Sequence, residues 1–173
     1  GAGGARAVTQ TDLNEHFLSF ARRSYARNGW PVGSDELYVG DYFAVTARLR
    51  AEDRLFDCVL VDPPFFSKTP GGRVDLVAAM EKVLNKARPL VAHGGALVAV
   101  NNAVFVSGAD YEAALEKVCS SGYMQVETRV EVPDDARGMV LAGAPAADPA
   151  PYGHSTKIAV LRATRKDGRA ASA

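Results

Sequence analysis

The sequence predicts an α/β fold with a mostly parallel sheet, and three observations carry that expectation. Strand-like runs alternate with helical patterns along most of the 173 residues, the order that builds parallel sheets with helices on both faces. The run "LFDCVLVD" (55–62) is almost continuously apolar, as strands buried on both faces are. The last two strand-like runs follow one another with a long loop and no helix between them, so an antiparallel pair is expected at one edge.

Taken in order, "RAVTQTD" (6–12) is a short strand that closes on an acid. "NEHFLSFARRSYARNG" (14–29) places Phe17, Leu18, Ala21 and Tyr25 at helical spacing and stops at Asn28-Gly29. "ELYVGD" (36–41) is a second strand and "FAVTARLRAE" a helix. The apolar strand 55–62 comes next, followed by a polar loop and a long amphipathic helix, "RVDLVAAMEKVLNKARPLV" (73–91), with Leu76, Met80, Val83 and Leu84 on one stripe. "GGALVAVNN" (94–102) is a strand introduced by a glycine pair, "DYEAALEKVCSSG" (110–122) a helix, and "YMQVETRVEV" (123–132) a strand with one wetter face. A Gly/Ala/Pro-rich loop (137–153) leads to the final strand "STKIAVLRAT" (155–164). One domain over 1–164 and a disordered tail over 165–173 are expected.

Composition narrows the function classes. Hydrophobic residues make up 47% of the chain, enough for one sizeable core. Twenty Lys+Arg balance twenty Asp+Glu, so any nucleic-acid surface must be local. Cys58 and Cys119 have no metal or redox spacing and read as small buried hydrophobes. His16, His93 and His154 share no metal spacing either, and no metal is expected. Free thiols and the lack of a signal-like start point to the cytoplasm. No apolar run approaches the ~20 residues of a membrane span.

In sheets of this kind ligands bind outside the carboxyl ends of the strands. Those ends here are Asp12, Asp41, Asp62-Pro63-Pro64 and Asn101-Asn102, four polar groups on one rim. "VLVDPPFFSKT" (59–69) is the most informative. Pro63 and Pro64 lack a backbone N–H and fix φ, so the strand must stop. Carboxylates at Asp12 and Asp41 suit neutral donors such as hydroxyls and an exocyclic amine. Asp62, with carbonyls near Pro63, can accept hydrogen bonds from a target N–H, while Phe65 offers a face for a flipped base. Plainer roles compete: a helix cap at Asp12, a turn acid at Asp41, a strand stop at 62–65, turn residues at Asn101-Asn102. Solvated charge is the plainer role for Lys68, Arg73 and the cluster Arg22, Arg23, Arg27.

These residues resemble the class I methyltransferases that use S-adenosylmethionine (SAM). "DPPF" (62–65) matches the (Asp/Asn)-Pro-Pro-(Phe/Tyr) motif of amino- and nucleobase-directed members, and Gly40-Asp41 resembles the segment that receives adenine. "FDCVLVDPPFFSK" with "GGALVAVNNAVFV" and "HSTKIAVLR" is similar to bacterial 23S ribosomal RNA methyltransferases, over nearly the whole chain. The resemblance implies a Rossmann-like sheet, SAM as cofactor with S-adenosylhomocysteine as product, and RNA as partner. It places Asp12, Leu13, Asp41, Tyr42 and Asp62 at the cofactor, and Asp62, Pro63, Pro64 and Phe65 at the chemistry. Phe66, Lys68, Arg73, Asn101 and Asn102 fall at the substrate. The competing functions are methylation of a protein or small-molecule nitrogen, and a non-catalytic RNA-binding module. Oligomeric state stays open, a dimer included.

Two departures from the family are visible. Members begin with a strand, a glycine-rich loop and a helix ahead of the acid-ended strand. Here "GAGG" lies only about eight residues before Asp12, too few for a helix rising about 1.5 Å per residue plus a turn. Gly1–Arg6 is therefore expected to be the end of that helix or vector-derived, the first central strand to be missing, and the chain to be a piece of a longer protein. In addition, methylation at carbon 5 of a pyrimidine needs a cysteine nucleophile. Where relatives carry it, this chain has Asn101-Asn102, which points to a ring nitrogen as the target.

Overall fold

A computed structural model describes residues 4–31, 33, 36–64, 66–69, 72–75, 79–136 and 147–171. The chain divides into two compact units, Gly1–Glu52 and Asp53–Ala173, where one domain was expected.

In the first unit, β1 (Gln10–Asp12) and β2 (Leu37–Val39) pair in parallel, Asp12 opposite Val39. Between them runs α1 (Glu15–Arg27), capped by Asn14, whose side chain accepts from the His16 N–H. Gly29, at φ 66°, ends the helix turn in the left-handed region open to glycine. The helix α2 (Tyr42–Ala51) follows β2. Among the described residues, Leu18, Tyr38, Val45 and Leu49 are the buried apolar residues of this unit. Only Leu18 of α1 is buried, and Phe17, expected beside it in the core, is 58% exposed. Phe17 lies about 100° around the helix from Leu18, and a helix over a two-stranded pair needs only a narrow apolar stripe.

The second unit holds a four-stranded sheet in the order β3-β6-β8-β7. Its strands are β3 (Phe56–Val61), β6 (Val91–Asn101), β7 (Met124–Val130) and β8 (Lys157–Ala163). β3 and β6 are parallel, β6 and β8 antiparallel, and β7 and β8 form the expected antiparallel edge pair. Gly94 and Gly95 sit inside β6 rather than before it, at an irregularity in its pairing with β3. The Asp57 carbonyl approaches so closely that a Cβ on Gly95 would lie 2.9 Å from its oxygen, which only glycine accommodates.

Two helices, α3 (Met80–Ala87) and α4 (Gly108–Cys119), pack together and against the sheet. Met80, Val83, Leu84, Leu115 and Val118 meet the face carrying Val61, Leu97, Ala99, Ala159 and Leu161, all buried. Successive strand residues face opposite sides. Cys58 and Leu60 therefore point away from α3 and α4, and both are exposed, Leu60 by 67%. This corrects two expectations, a buried Cys58 and a strand buried on both faces. Cys119 is half-buried, and burial pushes its thiol pKa up.

The helix expected over 73–91 is shorter. Residues 72–75 instead form β5 (Gly72–Asp75), which pairs antiparallel with β4 (Phe66–Thr69) as a hairpin, and α3 begins only at Met80. Leu76, assigned to that helix's stripe, lies outside the described residues, as does 137–146 of the expected loop. Residues 165–169, expected as a disordered tail, make specific contacts. Arg165 donates to the Pro89 carbonyl (2.9 Å) and the Tyr123 hydroxyl (2.7 Å), Asp167 pairs with both Arg165 and Arg169, and the His93 N–H reaches the Arg169 carbonyl at 2.7 Å.

Candidate functional site

The first unit carries two strand-end acids side by side. The Asp12 carbonyl at the end of β1 accepts from the Gly40 N–H at 2.9 Å, which joins the two carboxyl ends. Oδ1 of Asp12 accepts from the Asn14 N–H at 2.7 Å, an Asx turn that bends the chain into α1. The helix cap itself is Asn14, so Asp12 lies two residues upstream of that role. Asp41 caps α2, its Oδ1 accepting from the N–H of Phe43 (3.0 Å) and of Ala44 (3.2 Å). Each acid thus fixes its position with one oxygen. Among the described residues the second oxygen of each accepts nothing. Leu13 is half-exposed next to Asp12. Tyr42 follows Asp41, its ring edge-on to Phe43 at 5.3 Å, and burial drives its phenol pKa up.

In the second unit, Val61 is level with Ala99 across the parallel β3–β6 pair. The register carries Asp62-Pro63-Pro64 past the end of β3 on the rim where β6 ends at Asn101. Asp62 is exposed, and its carboxylate has no hydrogen-bond partner among the described residues. Asn101 is buried, with Oδ1 accepting from the Ala103 N–H at 3.1 Å, while Asn102 is exposed. Phe65 lies outside the described residues. The β4–β5 hairpin places Phe66 opposite Asp75 and Lys68 opposite Arg73 along its backbone.

Two features of this rim had no reading in the sequence. Lys157, the first residue of β8 and the register partner of Asn101, is fully buried. Its ammonium donates to the Ala103 carbonyl (3.2 Å) and to the Ser155 carbonyl, and burial pulls its pKa down. Asn101 and Lys157 together hold the turn that leaves β6. The signal was present in the "HSTK" run, but only the register shows what the lysine holds. His154 accepts from the Thr156 N–H at 3.0 Å within the same run, a structural bond.

The second feature pins the connection before β8. Buried Tyr152 donates its hydroxyl to Glu112 of α4, which also takes a two-pronged contact from Arg129 of β7 at 2.6 and 2.7 Å. Tyr111 meets the Tyr152 ring edge-on at 5.4 Å and donates to the Ala99 carbonyl at 2.8 Å. Hydrogen bonding from Arg129 first, and from Tyr152, holds the Glu112 carboxyl below its ordinary 4.5. A carboxylate with a depressed folded-state pKa contributes stability above its unfolded value and loses it as pH falls through the folded one. At neutral pH, Glu112→Gln should cost about 1 kcal/mol, since Arg129 is partly exposed and screened. The gap between the two melting temperatures should close as pH drops below the ordinary glutamate range. A gap constant down to pH 2–3 in thermal scans (about two units below that range) would show that the charge contributes nothing.

No family model matches the chain. A solved methyltransferase complexed with SAH matches with a TM-score of 0.77 at 18% identity, over 92% of this chain and 40% of that one. A SAM-dependent methyltransferase from Streptococcus mutans matches with a TM-score of 0.71, also at 18% identity, over 92% and 39%. The fold is that of the class I SAM-dependent methyltransferases. In sequence, the chain is 36% identical over 102 residues to the ribosomal RNA large subunit methyltransferase K/L of Pseudomonas fluorescens, which is 58% of this chain and 13% of that relative. The chain thus spans about 13% of the length of such a relative. β1 ends at Asp12 and β6 at Asn101, while β2 and β3 end at Val39 and Val61 with Asp41 and Asp62 just beyond them.

Proposed function

We propose that this chain is the cofactor-binding and methyl-transferring part of an enzyme that methylates a base of large-subunit ribosomal RNA, acting in the cytoplasm. The observation that carries the proposal is the Asp62-Pro63-Pro64 strand end, placed beside the end of β6 in a methyltransferase fold. The named relative supports the substrate.

The donor set fits SAM. Asp12 and Asp41 are each anchored through one oxygen, with a second oxygen that accepts nothing among the described residues. Such acceptors suit the ribose hydroxyls and the adenine amine, with Leu13 and Tyr42 as the neighbouring apolar contacts. When bound, SAM supplies a methyl carbon made electrophilic by its sulfonium. Replacing Asp12 or Asp41 with alanine should weaken SAM binding about tenfold each, the scale of a hydrogen bond to a charged acceptor. Calorimetry on the full-length protein measures it, and unchanged affinity in both variants removes these acids from the cofactor.

Methyl transfer needs positioning and exclusion of water more than acid–base chemistry. The Asp62 carboxylate and the carbonyls of the rigid Pro63-Pro64 turn accept N–H bonds from the base edge and orient it. So held, a neutral ring nitrogen would face its lone pair towards the methyl carbon that bound SAM would supply, and the methylated base would carry the positive charge that the sulfonium gives up. Phe65 and Phe66 serve for stacking, Lys68 and Arg73 for phosphate, and Asn101-Asn102 shape the rim. Incubating full-length protein with methyl-labelled SAM and unmodified ribosomal RNA should place label in the large-subunit RNA. Label only in protein or small molecules would give the enzyme another substrate. SAM binding without any transfer would support a non-catalytic module.

A further inference from the structure

On α1 the side turned away from Leu18 is not a plain solvated face. His16, Phe17, Phe20, Arg23, Ser24 and Arg27 recur at spacings of one, three, three, one and three residues, which puts them on a single stripe. All six are at the surface, Phe17 by 58% and Phe20 by 47%. The rings are already arranged as a platform: His16 is edge-on to Phe20 at 4.9 Å, and Phe17 is tilted to Phe20 at 6.5 Å. The Arg23 guanidinium lies over the Phe20 ring, 4.4 Å from its centroid. The helix's one acid, Glu15, falls off the stripe, about 100° from His16.

We infer that this outward stripe of α1 is a contact surface for single-stranded RNA, with bases stacked on Phe17 and Phe20 and phosphates held by Arg23 and Arg27. The inference rests on the RNA substrate proposed above and adds a second contact region to it. Charge decides the partner. An apolar protein surface covering these rings would bury two guanidinium groups unpaired, because the stripe has no carboxylate of its own, and that is costly. Ribonucleotides bring a π-face and a phosphate at each step, so they match alternating rings and cations. The net neutrality of the chain does not oppose this, because the positive charge is local.

The test uses the full-length protein and a short single-stranded RNA oligonucleotide of large-subunit sequence. Two double variants are compared with the parent, Phe17→Ser with Phe20→Ser, and Arg23→Gln with Arg27→Gln. The phenylalanine pair should weaken RNA binding about 30-fold, the lower end of stacking for two bases, and the arginine pair about tenfold. The arginine pair should also flatten the salt dependence, by about 0.7 in log–log slope per lost phosphate contact, while the phenylalanine pair leaves that slope alone. Ultraviolet cross-links to α1 should disappear with the rings. Affinity and slope equal to the parent's in both variants would overturn the stripe while leaving the methyl-transfer proposal standing. So would hydrogen-exchange protection of α1 in the RNA-free protein that the phenylalanine pair abolishes, which would mean that protein covers the rings. A parent that binds SAM but no RNA would overturn both proposals together, and the SAM titration tells the cases apart.

Discussion

Asp62→Ala should lower the single-turnover methyl-transfer rate roughly 10²-fold while leaving the melting temperature nearly unchanged. The rate loss is the scale on which a positioned hydrogen-bonding group at the reacting edge contributes. The fold should tolerate the change because Asp62 is exposed past the end of β3 and accepts no hydrogen bond among the described residues. Surface substitutions away from packing and caps stay within about 0.5 kcal/mol. SAM affinity should move little, since Asp12 and Asp41 are the acids proposed to hold its ribose and adenine. Melting temperature, SAM dissociation constant and rate are all measurable on the one variant in the full-length protein. A collapsed melting temperature with an intact rate per folded molecule would make Asp62 a structural strand stop.

Gly108→Ala should destabilise the protein by about 2 kcal/mol, as overpacking in a closely packed contact does, and lower its melting temperature by about 5 °C. The sign is the diagnostic part, because alanine ordinarily favours a helix over glycine by about 1 kcal/mol. Gly108 opens α4 immediately after its cap, Ser107. A Cβ there would sit 1.6 Å from the Ala150 carbonyl oxygen and 3.0 Å from that of Pro149. Both are backbone atoms, held by the Gly108 N–H to the Asp148 carbonyl (2.7 Å), by the Ala150 N–H to the Asp148 side chain (2.9 Å) and by buried Tyr152. The segment must move away from α4 or the helix must lose its first turn. Thermal melts decide, and a raised melting temperature would show that the close approach does not exist in solution.

These two sites differ in how far they could be read in advance. The strand-ending diproline, the acids Asp12 and Asp41 and the Asn28-Gly29 stop act through the backbone within a few residues of themselves, so their local consequences are written in the chain. The α/β order and the antiparallel β7–β8 pair were legible for a similar reason: alternating periodicity and the absence of a connecting helix are local patterns. Gly108 carries no such mark, since its need for glycine comes from a backbone segment 42 residues away.

What the tertiary structure alone decided is which side of each element is covered. An apolar run such as 55–62 shows that a strand is buried somewhere, but Cys58 and Leu60 face out because α3 and α4 lie on the other side of the sheet. Phe17 has the hydrophobicity of a core residue and sits on the surface because β1 and β2 take only the Leu18 side of α1. Residues 72–75 could join a helix by pattern, yet pair with 66–69 instead. Arg165 and Arg169 look like a solvated tail until the Pro89 and Val91 carbonyls, the Tyr123 hydroxyl and the Asp53 carboxylate receive their donors. Local propensity specifies where a strand or helix can form. Burial, register and the pairing of charge depend on atoms distant in the chain, and only the folded arrangement brings those within a few ångströms.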